Sequence, residues 1–114
     1  MEFLRKLFGL QKSNSEHGVV IHFNYNKEDL APLQDLERRL DDVLKGKAVG
    51  DYDGNEIAVD YSDGYLFLYG RNAEELFAEI KGTLESTDFM SGANVKLRFG
   101  PPEDGVKEIE FKLN

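Results

Sequence analysis

Two kinds of hydrophobic spacing alternate along this 114-residue chain. Apolar residues recur at every second position over 18–25, 93–100 and 106–113, which is typical of half-buried β-strands. They recur at every third or fourth position over 29–45 and 72–86, which is typical of amphipathic helices. A chain that alternates in this way folds as a mixed α and β domain. Its length suits one domain, since domains commonly run to about 100–150 residues.

The segment between the two predicted helices contains two turn signals, Asp53-Gly54 and Asp63-Gly64. Aspartate followed by glycine is typical of tight hairpin turns, because both residues tolerate a positive φ. The two signals therefore predict a meander of three short strands over 49–52, 56–61 and 65–70.

A two-residue turn at Asp63-Gly64 would fix which residues of this meander face each other. On the predicted core side, the opposed pairs would be Tyr61 with Leu66, Val59 with Leu68, and Ile57 with Gly70. The opposite face would carry Glu56, Ala58 and Asp60 beside Tyr65, Phe67 and Tyr69.

The resulting order is strand, helix, a meander of two or three strands, helix and two further strands. Two helices in these positions cover one face of a mainly antiparallel sheet, which is an α+β two-layer sandwich. Strand–helix–strand repeated twice is the ferredoxin-like βαββαβ pattern, here with one or two extra antiparallel strands. We therefore predict a ferredoxin-like domain over residues 17–114.

The chain is acidic, and its charge is unevenly distributed. Fourteen Lys and Arg against 22 Asp and Glu give a net charge of −8, which argues against non-specific nucleic-acid binding. No Lys or Arg occurs between Ala48 and Gly70, whereas five acids do. An acidic body of this kind attracts cationic partners.

Residues 1–12 differ from the rest, with three basic side chains and one acid. Phe3, Leu4, Leu7 and Phe8 recur at helical spacing, so we predict a short amphipathic helix followed by a polar linker to residue 16. Such a helix makes weak contact with a membrane surface or a partner, folds back on the domain, or frays. No run reaches the roughly 18–20 apolar residues that cross a bilayer, so we predict no transmembrane segment.

Motifs for catalysis and cofactor binding are not found. The chain has no cysteine and two histidines, and it contains no phosphate loop, dinucleotide fingerprint, zinc motif or nucleophile elbow. The run from Asp51 to Asn55 is similar to the start of a calcium loop, but Glu56 stands where that loop needs glycine and Ser62 where it needs glutamate. We therefore predict no cofactor, metal or catalytic residue, and expect the protein not to be an enzyme.

The segment Gly64-Tyr65-Leu66-Phe67-Leu68-Tyr69 resembles the aromatic strand of RNA-recognition motifs, whose exposed rings stack on bases. Tyr65 and Phe67 fall at the stacking positions, and His22 would neighbour them. Asp63 stands where that family has Lys or Arg. Acids on the same face would repel phosphates, so we do not expect nucleic acid as the partner.

A wider resemblance covers most of the domain. Its segments are Asp53–Glu56, Tyr65–Gly70, Glu74–Phe77 and Gly92–Gly100. Together they are similar to a set of small, uncharacterised bacterial α+β proteins. The resemblance implies a bacterial cytoplasmic origin and carries no activity, so it assigns no functional residue.

These observations favour a non-enzymatic module that binds a basic protein, such as an immunity-type antagonist of a basic toxin or an accessory subunit. Aromatic side chains supply contact area, while flanking acids select a cationic partner. The predicted binding residues are His22, Glu56, Asp60, Tyr65, Phe67 and Tyr69. Three alternatives stay open: a ferredoxin-like regulatory domain that binds a small ligand, a single-stranded nucleic-acid binder, and an enzyme that uses the carboxylates of Glu56 and Asp60.

Overall fold

The computed structural model describes residues 16–114, and within them two helices and five strands follow one another. The predicted helix over residues 1–12 and most of the linker lie outside the described residues. A short 3-10 helix, Asp88–Met90, precedes the fourth strand. The elements in chain order are β1 (His17–Asn24), α1 (Ala31–Leu44), β2 (Asp51–Ile57), β3 (Asp63–Gly70), α2 (Ala73–Glu85), β4 (Asn94–Arg98) and β5 (Glu108–Lys112).

The five strands form one sheet in the order β2-β3-β1-β4-β5. Every neighbouring pair is antiparallel, and β1 lies at the centre. Helix α1 packs against α2 and β2, whereas α2 packs against β1, β3 and β4. The chain is therefore an α+β domain in which both helices cover the same face of an antiparallel sheet.

The core lies between the sheet and the helices, as the alternating pattern predicts. Val19, Ile21 and Phe23 of β1 are buried, while the intervening Val20 and His22 are only half-buried. The helical stripes are buried against them: Leu33, Leu36, Leu40 and Leu44 of α1, and Leu76, Ile80 and Leu84 of α2. One face of the sheet is thus committed to the core and the other is left for different contacts.

The two helices begin and end close to the predicted positions. Pro32 lies in the first turn of α1, where its missing N–H is not needed. Gly46, at a φ of 76°, follows the end of that helix. Helix α2 begins after Asn72, whose side chain accepts a hydrogen bond of 3.0 Å from the backbone N–H of Glu75.

The predicted meander has two strands rather than three, because β2 and β3 form a single hairpin, and the turn predicted at Asp63-Gly64 is wrong. Asp63 and Gly64 belong to β3, where Gly64 lies opposite Ile57. The turn is formed by residues 58–62 and is closed by a bond of 2.9 Å from the Ala58 N–H to the Asp63 carbonyl. Val59 is therefore fully exposed in this turn rather than in the core.

The reason for Gly64 is close packing rather than a turn. A Cβ atom at this position would lie 2.8 Å from Ile57 Cδ1 and 2.9 Å from the Glu56 carbonyl oxygen. The turn over residues 58–62 contains no glycine. The positive φ in this turn is adopted by Tyr61, at 62°. A glycine in a strand often marks a site where another backbone approaches closely, and Gly64 is such a glycine.

Asp53-Gly54 does not form a turn either, but lies at a β-bulge. Tyr52 lies opposite Leu68 and Gly54 opposite Phe67, so Asp53 is an extra residue that makes a β-bulge within β2. Gly54 has a φ of 134°. Bulges and turns both use aspartate and glycine because both need unusual backbone angles.

We predict that Tyr25→Phe destabilises the domain by about 1–3 kcal/mol, since this is the effect of leaving a buried polar group without a partner. The Tyr25 hydroxyl donates to the Asp29 carbonyl at 2.6 Å and accepts from the Leu33 N–H at 3.2 Å. That N–H lies in the first turn of α1, where no helical acceptor exists. Urea denaturation measures the change, with Tyr65→Phe on the exposed face as the control.

The same burial raises the pKa of Tyr25 above its usual value. As the pH rises above about 10, the unfolded chain therefore loses this proton before the folded chain does, and stability falls. The loss above that pH should be smaller in Tyr25→Phe than in the native protein. Equal losses in both proteins, or equal stabilities of Tyr25→Phe and Tyr65→Phe, would contradict the assignment.

Candidate functional site

The face of the sheet opposite the helices is the candidate site, and we call it the open face. Among residues 16–114, no helix packs over it. Its residues, strand by strand, are Asp51, Gly54 and Glu56 on β2; Tyr65, Phe67 and Tyr69 on β3; Gly18, Val20 and His22 on β1; Asn94, Lys96 and Arg98 on β4; and Glu108, Glu110 and Lys112 on β5.

The strand register arranges these residues in three rows across the sheet. The rows are Glu56-Tyr65-His22-Asn94-Lys112, Gly54-Phe67-Val20-Lys96-Glu110 and Asp51-Tyr69-Gly18-Arg98-Glu108. Residues directly opposite one another on neighbouring strands have Cβ atoms about 4.5–5.5 Å apart. An acidic stripe on β2 therefore borders an aromatic stripe on β3. The small residues Gly18 and Val20 of β1 separate the aromatic stripe from two cations on β4.

The aromatic stripe presents rings with nearly parallel planes. The centroids of Tyr65 and Phe67 are 6.1 Å apart, and their planes differ by 16°. Tyr65 is 39% exposed, and it is one of three large hydrophobic residues that are exposed among residues 16–114. Rings held in this way by a rigid strand offer contact area without a large loss of side-chain entropy on binding.

His22 joins the end of the aromatic stripe to a carboxylate. Its Nε2–H donates to Asp63 Oδ2 at 2.6 Å, and both side chains are about two-fifths exposed. The imidazole ring lies against Tyr65, with centroids 4.6 Å apart. The carboxylate thus fixes the orientation of the imidazole beside the aromatic stripe.

Two cations on β4 are part of the open face, although neither is among the predicted site residues. Arg98 lies over the Tyr69 ring at 5.7 Å, and its Nε donates to the Gly100 carbonyl at 2.7 Å. Burial lowers the pKa of its guanidinium. Gly18 makes room for this group, because a Cβ there would lie 2.9 Å from Arg98 Cζ.

Lys96, the second cation, is balanced by two acids of β5. Its Nζ lies 3.8 Å from a carboxylate oxygen of Glu108 and 3.8 Å from one of Glu110. These pairs are half-exposed and contribute little to stability. Their effect is to make the β4–β5 half of the open face a mixture of charges, whereas the β2–β3 half is acidic and aromatic.

Five of the six predicted site residues lie on the open face: His22, Glu56, Tyr65, Phe67 and Tyr69. Asp60 does not, because it lies in the turn between β2 and β3. Hydrogen bonding to Ser62 lowers the pKa of its carboxyl, and one of those bonds is the 3.0 Å contact with the Ser62 N–H. Asp51, opposite Tyr69, is the acid that flanks the aromatic stripe at its other end.

A shallow concavity of about 230 Å³ lies in the open face over β1. The concavity is present because the side chain of Val20 is shorter than those of Tyr65 on β3 and Lys96 on β4. Its lining residues are Val20, His22, Tyr65, Asn94, Lys96 and Glu110. In the part of the chain that the structure describes, no three His, Asp or Glu side chains are grouped so as to hold a metal ion.

Comparisons of the chain with protein-family models, curated proteins and solved structures gave no significant match. Within residues 16–114, neither helix has both the length and the apolar character needed to span a bilayer.

Proposed function

We propose that this domain is a non-enzymatic binding module, and that its open face recognises a basic, amphipathic segment of a protein partner. The observation that carries the proposal is the position of the aromatic stripe. Tyr65 lies opposite Glu56, and Tyr69 lies opposite Asp51, both of which are exposed acids. Apolar side chains of the partner would pack on the rings while its cations approach the acids.

The charge of the whole domain supports the same choice of partner. Residues 13–114 contain 11 basic and 21 acidic side chains, a net charge of −10. A field of this sign accelerates the approach of a cationic partner and opposes that of phosphate backbones. An immunity-type protein or an accessory subunit in a bacterial cytoplasm would have such a role.

The proposed fold type is ferredoxin-like, with β5 as an added strand. In its support, β1 lies between β3 and β4 and is antiparallel to both. The units β1-α1-β2 and β3-α2-β4 each connect strands separated by one intervening strand. Within residues 16–114, this arrangement places both helices on one face of the sheet and leaves the other face available as a binding surface.

The test is a titration of the isotope-labelled full chain, followed by NMR. The probe is a cationic amphipathic peptide of leucine and lysine, compared with a leucine–glutamate peptide of the same length and pattern. We expect the cationic peptide to shift the amide signals of β2 and β3, and its affinity to fall as salt concentration rises. The acidic peptide should leave these signals unchanged.

Other outcomes would replace the proposal. Equal binding of both peptides, or shifts confined to α1 and α2, would show that the open face is not the site. Tighter binding of oligothymidylate than of the cationic peptide would assign the aromatic stripe to base stacking instead.

A small-ligand site is the second candidate, and the concavity over Val20 favours it. Lys96 and Glu110 in its lining present opposite charges, as recognition of a zwitterion such as a free amino acid requires. Its volume of about 230 Å³ is below the roughly 300–1,000 Å³ of ordinary ligand pockets. We therefore rank it second.

A further inference from the structure

Strand β5 forms one edge of the sheet, and half of its backbone groups point away from the domain. The Phe99 N–H donates to the Lys107 carbonyl and the Leu113 N–H donates to the Ala93 carbonyl, both at 2.9 Å. Hydrogen bonding alternates along an antiparallel pair. The N–H and C=O groups that face outward are therefore those of Glu108, Glu110 and Lys112.

The other edge of the sheet has a protective feature that β5 lacks. Strand β2 carries the Asp53 bulge, and bulges interrupt the pairing of an edge strand with another chain. Strand β5 has regular pairing with β4 throughout, contains no proline, and has Ile109 and Phe111 on its helix side rather than a charge. The charged side chains that β5 carries, Glu108, Glu110 and Lys112, all lie on the open face.

The helix layer ends before it reaches Ile109. Phe111 packs against Phe77 of α2, with ring centroids 5.2 Å apart. Ile109, two residues earlier, is 39% exposed. Among residues 16–114, no strand pairs with the outer edge of β5. Such an edge, with an exposed β-branched residue on its apolar side, offers both the backbone and the side-chain contacts that another strand would use.

We propose that two copies of this chain pair through β5, antiparallel and with Phe111 opposite its counterpart. This pairing uses the β5 edge of the sheet, whereas the proposed function uses the β2–β3 half of the open face. The register places Glu110 opposite Lys112 of the second copy, twice, and Ile109 opposite Leu113. Two Glu–Lys pairs and an apolar row then join the sheets across a two-fold axis.

Charge excludes the neighbouring registers. Centring the pair on Ile109 would oppose Glu108 to Glu110 twice, and centring it on Glu110 would oppose that residue to itself. Centring it on Lys112 would oppose two lysines. Like charges directly opposite each other are destabilising, so only the register centred on Phe111 pairs the outward-facing charges of β5 without repulsion.

Sedimentation of the full chain across micromolar to millimolar concentrations tests the pairing. We expect a monomer–dimer equilibrium. Lys112→Glu makes the edge acidic and Glu110→Lys makes it basic. The dimerisation affinity of each variant alone should therefore fall by about tenfold or more. An equimolar mixture of the two should recover the dimer, because each Lys–Lys and Glu–Glu pair becomes a Lys–Glu pair.

Recovery on mixing separates loss of pairing from loss of folding, since misfolded chains would not regain a defined dimer. A wild-type chain that stays monomeric throughout would overturn the proposal. So would a dimer that Lys112→Glu leaves intact, or a mixture that stays monomeric.

The register has a test of its own, because the chain has no native cysteine. Phe111→Cys brings two thiols to directly opposed positions, where Cα atoms lie about 4.5 Å apart in a pair without hydrogen bonds. We expect this variant to form a disulfide-linked dimer under mild oxidation and Ile109→Cys to form far less. Equal cross-linking of both variants would overturn the register.

Discussion

Replacing Gly70 with alanine is expected to lower the free energy of unfolding by about 1–3 kcal/mol or more, the usual effect of forcing extra volume into a packed site. Gly70 is the last residue of β3, and the chain entering β2 crosses it. A Cβ there would lie 2.1 Å from the Val49 carbonyl oxygen and 3.0 Å from Gly50 Cα. Both are backbone atoms, so the clash is relieved only by moving the start of β2.

Gly82→Ala is the matched control, and we expect the opposite sign. Gly82 lies within α2, and a Cβ there would meet no atom within 4 Å. Alanine in the interior of a helix is about 0.5–1 kcal/mol more stable than glycine. Urea denaturation of the two variants measures both effects. A Gly70→Ala protein as stable as the native chain would contradict the close approach of Val49.

The sequence predicted the elements whose pattern reflects their own burial. Val19, Ile21 and Phe23 alternate because β1 has one buried face, and Leu33, Leu36 and Leu40 recur at helical spacing because α1 has one buried stripe. These patterns are local, so they are readable without knowing the neighbours. The two helices and strands β1, β4 and β5 were predictable from such patterns.

The hairpin between β2 and β3 was not predictable in this way, because its glycines are required by contacts with residues on other segments of the chain. Gly64 is required by Ile57 and Glu56, and Gly70 by Val49. Nothing within the sequence distinguishes such a glycine from one that makes a turn. The turn over residues 58–62 includes a positive φ at Tyr61. A tyrosine does not indicate such a backbone angle in the sequence, because residues other than glycine rarely adopt it.

The open face was partly predictable for a related reason. Tyr65, Phe67 and Tyr69 lie at alternate positions of one strand, so spacing alone puts them on the same face. Lys96 and Arg98 belong to the open face because the strand order places β4 beside β1, and that order could not be predicted from the spacing. Their alternation with Val95 and Leu97 was visible in the sequence, and it was the signal for a second, cationic stripe.

Because Asp51 and Glu56 of β2 lie directly opposite the aromatic stripe, reversing their charge is expected to have the largest effect on binding. The variant with both Asp51→Lys and Glu56→Lys should bind the cationic leucine–lysine peptide at least about tenfold more weakly. Opposed like charges at an interface cost several kcal/mol, and each 1.4 kcal/mol or so is a factor of ten. Association should slow, and its dependence on salt should flatten or reverse.

The control has the same net charge but leaves the open face unchanged. Asp41→Lys with Glu85→Lys alters two exposed acids of the helices on the other side of the sheet. If the local position of the acids selects the partner, this variant keeps most of the affinity and loses only the part that comes from long-range attraction. If both double variants weaken binding equally, the overall field of the domain attracts the peptide, and the row geometry of β2 and β3 has no part in choosing it.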